Sequence, residues 1–462
     1  MGKEQNRVVL CASSSMAFLL LLAWLYASVF SSDVTPFEAW KLPGFGSSLS
    51  SKMSDHEAIL ANYSLDFPLR RLVRGDDRIQ LDTTGFACHS DLYSELCIAN
   101  KEVRIDNKNL TVYIPSSQSQ ISRKNIKPYP TTNPLHLVTS VQIVNEETNL
   151  PSCNFNHNVP VLVFSSGGFT GNLFHEMDEL IIPLFITSRH FRSNLKFVIT
   201  DYKAWWVNKY SRILSRLSRY EFINPAVNGS VNCFPGAVIG LKFHGLLALN
   251  RTDIPGGYSM FDFKHFLAQT YNLKHTNVFE IKREKPVLIL ISREKTRRFV
   301  NEDEMVVMME ELGFEVVVTR PNRMSNLNKF SELLNSCSVL VGAHGAGMTN
   351  EVFLPAGAVA VQVVPLGLDW ASTNYFGEPA REMGVKYLEY KIEPEESTLF
   401  QTYGKDHVVV TDPESILAKG YQAARAVYID EQNLKINVER FRETLVQAKQ
   451  LIEDSSDSSS RN

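Results

Sequence analysis

The chain lacks the motifs by which many catalytic sites are recognised. No Asp-x-Asp occurs among its 462 residues, so the carboxylate pair that often holds a metal against a diphosphate is missing. No G-x-S-x-G elbow and no Walker loop appear, which removes two common routes to acyl and phosphoryl transfer. Cysteine is scarce: there are six, with no C-x-x-C pair and no His/Cys cluster at zinc spacing, so no bound metal is expected. Excess charge is small as well. Lys and Arg total 47 against 50 Asp and Glu, a formal net charge of −3. No basic stripe with interleaved aromatics is present, so no nucleic-acid partner is expected. No internal repeat is visible, which argues against a solenoid.

The N-terminus is the first informative presence. Lys3 and Arg7 precede an apolar run from Val8 to Phe30, interrupted only by Ser13-Ser14-Ser15. At about 1.5 Å per residue a helix over this run spans a hydrocarbon core. Asp33 and Glu38 follow it, so the charge asymmetry keeps residues 1–7 in the cytosol. The run then reads as a signal anchor over 8–30; the alternative is a signal peptide cleaved near Ala27-Ser28-Val29. Four Asn-x-Ser/Thr sequons, at Asn62, Asn109, Asn228 and Asn250, fit a body in a secretory compartment. Cys88, Cys97, Cys153 and Cys233 lie in loop-like contexts and allow three pairings, with Cys88–Cys97 and Cys153–Cys233 preferred. Cys11 sits in the anchor, and Cys337 reads as a buried free thiol.

Residues 31–85 are rich in Ser, Asp and Gly and read as a stem. Residues 116–134 form a polar, proline-bearing loop, and 454–462 a disordered tail. Two α/β units lie between. The first, over 86–280, has a strand at Val159–Phe164, a glycine turn, a helix from Leu173 to Arg189 and a strand at Leu195–Thr200. The second, over 281–425, has strands at Val287–Ile291, Phe314–Thr319, Val339–Val341 and Ala358–Val364. Alternating strands and helices predict parallel sheets in two Rossmann-like domains facing a cleft at their carboxyl ends. A helix over 426–453 is expected to cross back over the first domain.

Three groups fall at predicted strand ends. Arg293-Glu294-Lys295-Thr296-Arg297-Arg298 follows the Val287–Ile291 strand, and its arginines can clamp a diphosphate; a solvated charged loop is the alternative. Gly342-Ala343-His344-Gly345-Ala346-Gly347 reads as strand, glycine turn and helix N-terminus from Met348, a place where free N–H groups attract anions. Tight packing alone is the other reading of that turn. The third group is Gly167-Gly168 through Gly171-Asn172 to His175-Glu176-Met177-Asp178. His175 and Asp178 are three apart and share a helix face, so the carboxylate can orient the imidazole; favourable acidic charge at a helix start is the alternative. With no Asp-x-Asp nearby, arginines and helix dipoles would stabilise a departing diphosphate directly.

Several longer stretches, GGFTGNLFHEMDELIIPLFIT, ITDYKAWWVNKY, GLKFHG, ISREKTRRFVNE, GAHGAGMTN and WASTNYFG, together resemble plant glycosyltransferases of family 61, in the xylan arabinosyl- and xylosyltransferase clade. The resemblance runs from about Phe86 to the final helix. It implies an inverting, metal-independent enzyme of GT-B fold, held as a single-pass type II protein in the Golgi membrane. It would move arabinofuranose or xylose from a UDP-sugar to xylan and need no cofactor, and a complex with other xylan-synthesis enzymes would be in keeping. Carried over, Arg293, Arg297, His344, Gly345, Ala346 and Gly347 would meet the donor diphosphate. Asn350 and Glu351 would support that turn or touch the donor. Gly168, Asn172, Asp201, Trp205 and Trp206 would face the acceptor. His175, poised by Asp178, is the expected general base, with Asp178 alone as the alternative. Relatives are expected to carry Asp directly after the His; here Glu176 stands there. Other readings are an N-glycan β-1,2-xylosyltransferase, an O-linked GlcNAc transferase, or a catalytically silent glycan-binding or scaffold subunit of a Golgi complex.

Overall fold

The structure is a computed structural model. It describes residues 65–459 except 92–93, 116–121, 131–134, 147–149, 228 and 322–325. All of these belong to the compact unit Ser64–Asn462. The proposed anchor, Cys11, Asn62 and Asn228 lie outside the described residues.

Two sheets organise the chain. The first has strands β1 (Phe86–Ser90), β2 (Glu95–Ala99), β3 (Val161–Ser165), β4 (Lys196–Thr200) and β5 (Ala237–Ile239), in the order β1-β2-β5-β3-β4. The β5, β3 and β4 strands run parallel, and β2 joins them antiparallel. The second has β6 (Val287–Ile291), β7 (Glu315–Thr319), β8 (Val339–Ala343), β9 (Val359–Val364) and β10 (Lys386–Lys391), all parallel in the order β7-β6-β8-β9-β10.

Side-chain alternation along β6 explains how the second sheet is covered. Val287, Ile289 and Ile291 enter one apolar core, and Leu288 and Leu290 enter another on the opposite face. The first sheet differs. Leu162 and Phe164 of β3 pack among helices, whereas Val161 and Val163 pack on a third, six-stranded sheet. The expectation of helices on both faces therefore fails for this half. The third sheet is built from short strands such as Val103–Asp106, Thr111–Pro115 and Val141–Glu146, and it includes Ser122–Ile126, inside the segment expected to be a loop.

Three boundaries move. Helices Asp66–Arg70 and Gly75–Thr84 bury Leu69 and Leu81 in the first domain's core, so the stem does not extend to residue 85. The last helix runs over Val438–Ser459 and includes part of the expected tail. Its Phe441, Leu445 and Ala448 pack on the second sheet beside β9 and β10, and the helix also meets Val278–Glu280 at the end of the first domain.

Disulfides join Cys88 to Cys97 across the β1–β2 pair and Cys153 to Cys233 at the third sheet. Cys337 is a buried free thiol, and burial pushes its pKa up to about 12. Of the sequons within the described residues, Asn109 and Asn250 are exposed. No described helix is long and apolar enough to cross a membrane.

Candidate active site

The second sheet brings two groups together at its carboxyl edge because β6 and β8 are neighbours. After β6 the chain turns through Arg293 and Arg297; after β8 it turns through His344 and Gly345. Gly345 has φ 142°, and a methyl group there would lie 2.8 Å from Arg293 Nη1 and 3.0 Å from Arg297 Nη1. Only glycine lets both guanidiniums close on this turn. Arg297 donates from Nη1 to the His344 carbonyl at 2.9 Å, and Arg293 from Nε to the Thr296 carbonyl at 2.7 Å. Among the described residues, neither arginine has a carboxylate within ion-pair distance, and Arg297 Nε is buried without a partner. Burial, then the charge of Arg293, pull Arg297 down to about 9, so it stays cationic at neutral pH. Arg297 is buried and Arg293 half-buried, neither is ion-paired to a carboxylate among the described residues, and Asp430 acts on Arg297 only from beyond ion-pair distance, so the two guanidiniums make a cradle for a ligand that carries negative charge.

His344 is 6% exposed, and its Nδ1 accepts from Gln362 Nε2 at 2.9 Å. An amide nitrogen can only donate, so the proton sits on Nε2. Burial and the two arginines hold His344 neutral by pulling its pKa down to about 3. The chain beyond Gly345 forms 3-10 turns over Ala346–Phe353, not the α-helix expected from Met348. Gly347 packs against the Ile291 side chain, which leaves 3.0 Å for an added methyl. Asn350 donates to the Gly347 carbonyl at 2.8 Å and so braces the turn. Glu351 is fully buried behind it, so it faces the interior, where Lys264 is the neighbouring cation; burial pushes its carboxyl well up.

The first sheet supplies the other wall. Beyond β3, Gly168 has φ 64° and a side chain there would collide with the Tyr129 ring. Asn172 caps the next helix by accepting from Phe174 N at 3.0 Å, a role that accounts for this residue without an acceptor contact. That helix spans 173–188 in three segments, Leu173–Glu176, a π-turn at Met177–Ile181, and Ile182–Ser188.

The expected partnership of His175 with Asp178 is not what the fold builds. His175 Nδ1 lies 2.7 Å from Glu179 Oε1, one helical turn on, and Glu179 Oε2 accepts the Tyr129 hydroxyl. Burial, then the Glu179 charge, keep Tyr129 protonated. A carboxylate that accepts from both fixes Nδ1 as the donor and leaves Nε2 of His175 with its lone pair. Asp178 turns inward instead. It is 2% exposed, accepts the Leu247 N–H at 2.8 Å, and burial pushes its carboxyl well above the usual range. Both i+3 and i+4 neighbour His175 on a helix face; Glu179 takes the place beside the imidazole, and Asp178 is turned to the Leu247 N–H. His244 sits between the carbonyls of Asp178 and Ala248, 2.7 Å from each; burial pulls its pKa down to about 4, so the neutral ring donates its single N–H to one of them.

The acceptor-side residues separate into three kinds. Trp205 is 48% exposed, but Trp206 is wholly buried against Phe164 and Tyr210 and belongs to the core. Asp201, at φ 50°, uses its carboxylate to hold Ser165 Oγ at 2.6 Å and Thr139 N at 3.0 Å. Glu176 is buried, paired with Lys209 and Tyr210.

The two walls meet. Segment Leu173–Glu176 packs on Ala346–Phe353. The Phe174 ring lies tilted 5.1 Å from Tyr375 and edge-on 5.8 Å from Phe376, and the Phe376 ring is 5.4 Å from His344. A second π-turn, Thr373–Gly377, carries those aromatics. Tyr129, Glu179, Tyr375 and Phe376 were not singled out in the sequence. The marker stretch WASTNYFG contains the last two, but no local signal tied Tyr129 to Glu179, 50 residues away.

A positively charged cradle after one sheet and a carboxylate-oriented imidazole after the other, linked through Phe174 and Phe376, are the parts that a group-transfer site uses. Residues 173–361 match the family described as Glycosyltransferase 61. The chain is 38% identical to the α-1,3-arabinosyltransferase XAT2 of Oryza sativa subsp. japonica, over 78% of this chain and 63% of that protein. It is 32% identical to the xylan glycosyltransferase MUCI21 of Arabidopsis thaliana, over 87% of this chain and 84% of that protein. A rice β-1,2-xylosyltransferase, XAX1, is 36% identical over 81% and 68%. The chain belongs to glycosyltransferase family 61.

Proposed function

We propose that this chain transfers a pentose, arabinofuranose or xylose, from a UDP-sugar to a xylan backbone. The observation that carries the reading is the pair Arg293 and Arg297, half-buried and buried, closed on Gly345 with no ion-paired carboxylate among the described residues. A diphosphate supplies the missing charge. The relatives' names supply the sugar and the polymer.

In the reaction a xylan hydroxyl attacks the anomeric carbon from the face opposite UDP. The new glycosidic C–O bond forms as the bond to the diphosphate breaks, and the configuration inverts. His175 Nε2 accepts the hydroxyl proton, and Glu179 stabilises the imidazolium that results; such base assistance contributes roughly 10²–10⁴-fold. The departing negative charge falls to Arg293 and Arg297, so the reaction proceeds without a bound metal. In this reading the two principal sheets are the halves of a GT-B enzyme. The body lies in the Golgi lumen behind an N-terminal anchor, a placement supported by the disulfides and the exposed sequons at Asn109 and Asn250.

Calorimetric titration of UDP into the wild type and Arg297→Ala tests the cradle. The expected result is metal-independent binding that weakens at least tenfold in the variant, the scale of losing one charge-assisted contact. Equal UDP affinity in both would overturn the assignment, and absence of binding in both would favour a scaffold.

A further inference from the structure

A groove beside Asp201 lies outside the machinery described above. Its first part is a depression of about 380 Å³ at the carboxyl end of β4, walled by Thr200, Asp201 and Tyr202 and, opposite, by the turn at Asn107 and Lys108. Its second part, about 520 Å³, is walled by Tyr202, Arg219 and Tyr220. Tyr202 lines both.

The first part contains an unmet polar group. Asn107 is 2% exposed, its main chain is paired with Ser230, and neither its side-chain oxygen nor its nitrogen has a hydrogen-bond partner among the described residues. A buried amide left in that state is costly unless a ligand completes it. An amide offers one acceptor and donors on adjacent atoms, which matches the vicinal hydroxyls of a sugar. Asp201 spends its charge inward on Ser165 and Thr139, so it does not make the groove a cation site. No two guanidiniums converge here as they do at Gly345, so a second diphosphate is not the fit. Tyr202 and Tyr220 offer the flat, amphipathic surface on which sugar rings pack.

The groove is tied to the proposed chemistry by packing. Asp201 Oδ2 lies 3.2 Å from where a Gly167 side chain would begin, and Gly168 packs on Tyr129, which holds Glu179 beside His175. We propose that the groove is a distal acceptor subsite that binds an uncharged stretch of the polysaccharide several residues from the sugar being modified. This deepens the reading of the chain as a xylan glycosyltransferase and rests on it.

The full-length protein in detergent micelles, with xylobiose and xylohexaose as alternative acceptors, provides the test. Asn107→Ala and Tyr202→Ala should each raise KM for xylohexaose about tenfold, the size of one lost polar or stacking contact, with KM for xylobiose and for the donor unchanged. Equal changes for both acceptors, or none for either, would overturn the subsite. Tyr202→Ala guards against misfolding of the variant at buried Asn107. If the wild type modifies neither acceptor, the transfer reading fails separately, and affinity electrophoresis through xylan gels then decides the groove. Retardation of the wild type that Tyr202→Ala abolishes supports it; equal mobility of the two overturns it.

Discussion

At the scale of single residues the account turns on which carboxylate serves His175. Glu179 is buried at its Nδ1 and also held by Tyr129, whereas Asp178 faces Leu247 and the interior. Glu179→Gln keeps the shape but removes the charge that stabilises an imidazolium. Steady-state kinetics should show kcat reduced by roughly 10²-fold, inside the range for lost acid–base assistance, with the donor KM little changed. His175→Ala should match or exceed that loss. An unchanged kcat in Glu179→Gln would remove the relay from the mechanism. His344 makes a different prediction. Its folded pKa is depressed to about 3, against an ordinary value of 6.5, so between those values the unfolded chain binds a proton that the folded chain does not. Stability is therefore fully present above 6.5 and lost as pH falls. At pH 5 the cost is about 2 kcal/mol. His344→Gln should show a smaller drop in Tm from pH 7 to pH 5 than the wild type, and an equal drop would contradict a neutral buried imidazole.

At the scale of elements, two π-turns shape the cleft, and each stands just before a proline. Met177–Ile181 is followed by Pro183, and Thr373–Gly377 by Pro379. Proline has no N–H to bond the carbonyl four residues back and crowds it sterically, so the preceding turn widens. The widened turns present Glu179 on one wall and Tyr375 with Phe376 on the other. Pro183→Ala restores the donor and lets the helix tighten. The expected outcome is a raised or unchanged Tm with kcat reduced several-fold, read by melting and kinetics on the same preparation; unchanged kcat would separate the π-turn from catalysis. This also explains what could and could not be seen in the sequence. Runs such as Val287–Ile291 and Val339–Ala343 are continuous apolar strands between turn signals, so the second sheet and the glycine and arginine turns after it were legible. A helix face brings both i+3 and i+4 to His175, and nothing in the sequence marked that Asp178 would turn to the Leu247 N–H and leave Glu179 at the imidazole. Trp206 looked like its neighbour Trp205 in composition, yet helical rotation buries one and exposes the other. The third sheet was missed because its strands are short and separated by polar turns that read as loop.

At the scale of the whole molecule the two sheets are not independent bodies. A single apolar cluster extends from the helices on β3 through helix Met260–Tyr271 to β6 and the segment behind the glycine turn. The imidazole on one sheet and the arginine pair on the other are thereby set against each other by shared packing, with Phe174 and Phe376 at the contact. In the proposed pentose transfer the imidazole would take the hydroxyl proton and the arginine pair would receive the diphosphate. The most direct measurement incubates the purified protein, in the presence of a metal chelator, with UDP-arabinofuranose or UDP-xylose and xylo-oligosaccharides, and reads products by mass and linkage analysis. The account predicts addition of one pentose with inverted anomeric configuration, UDP released in equal amount, and loss of product in Arg297→Ala. A product with retained configuration, a strict need for added metal, or no transfer from either donor would contradict it.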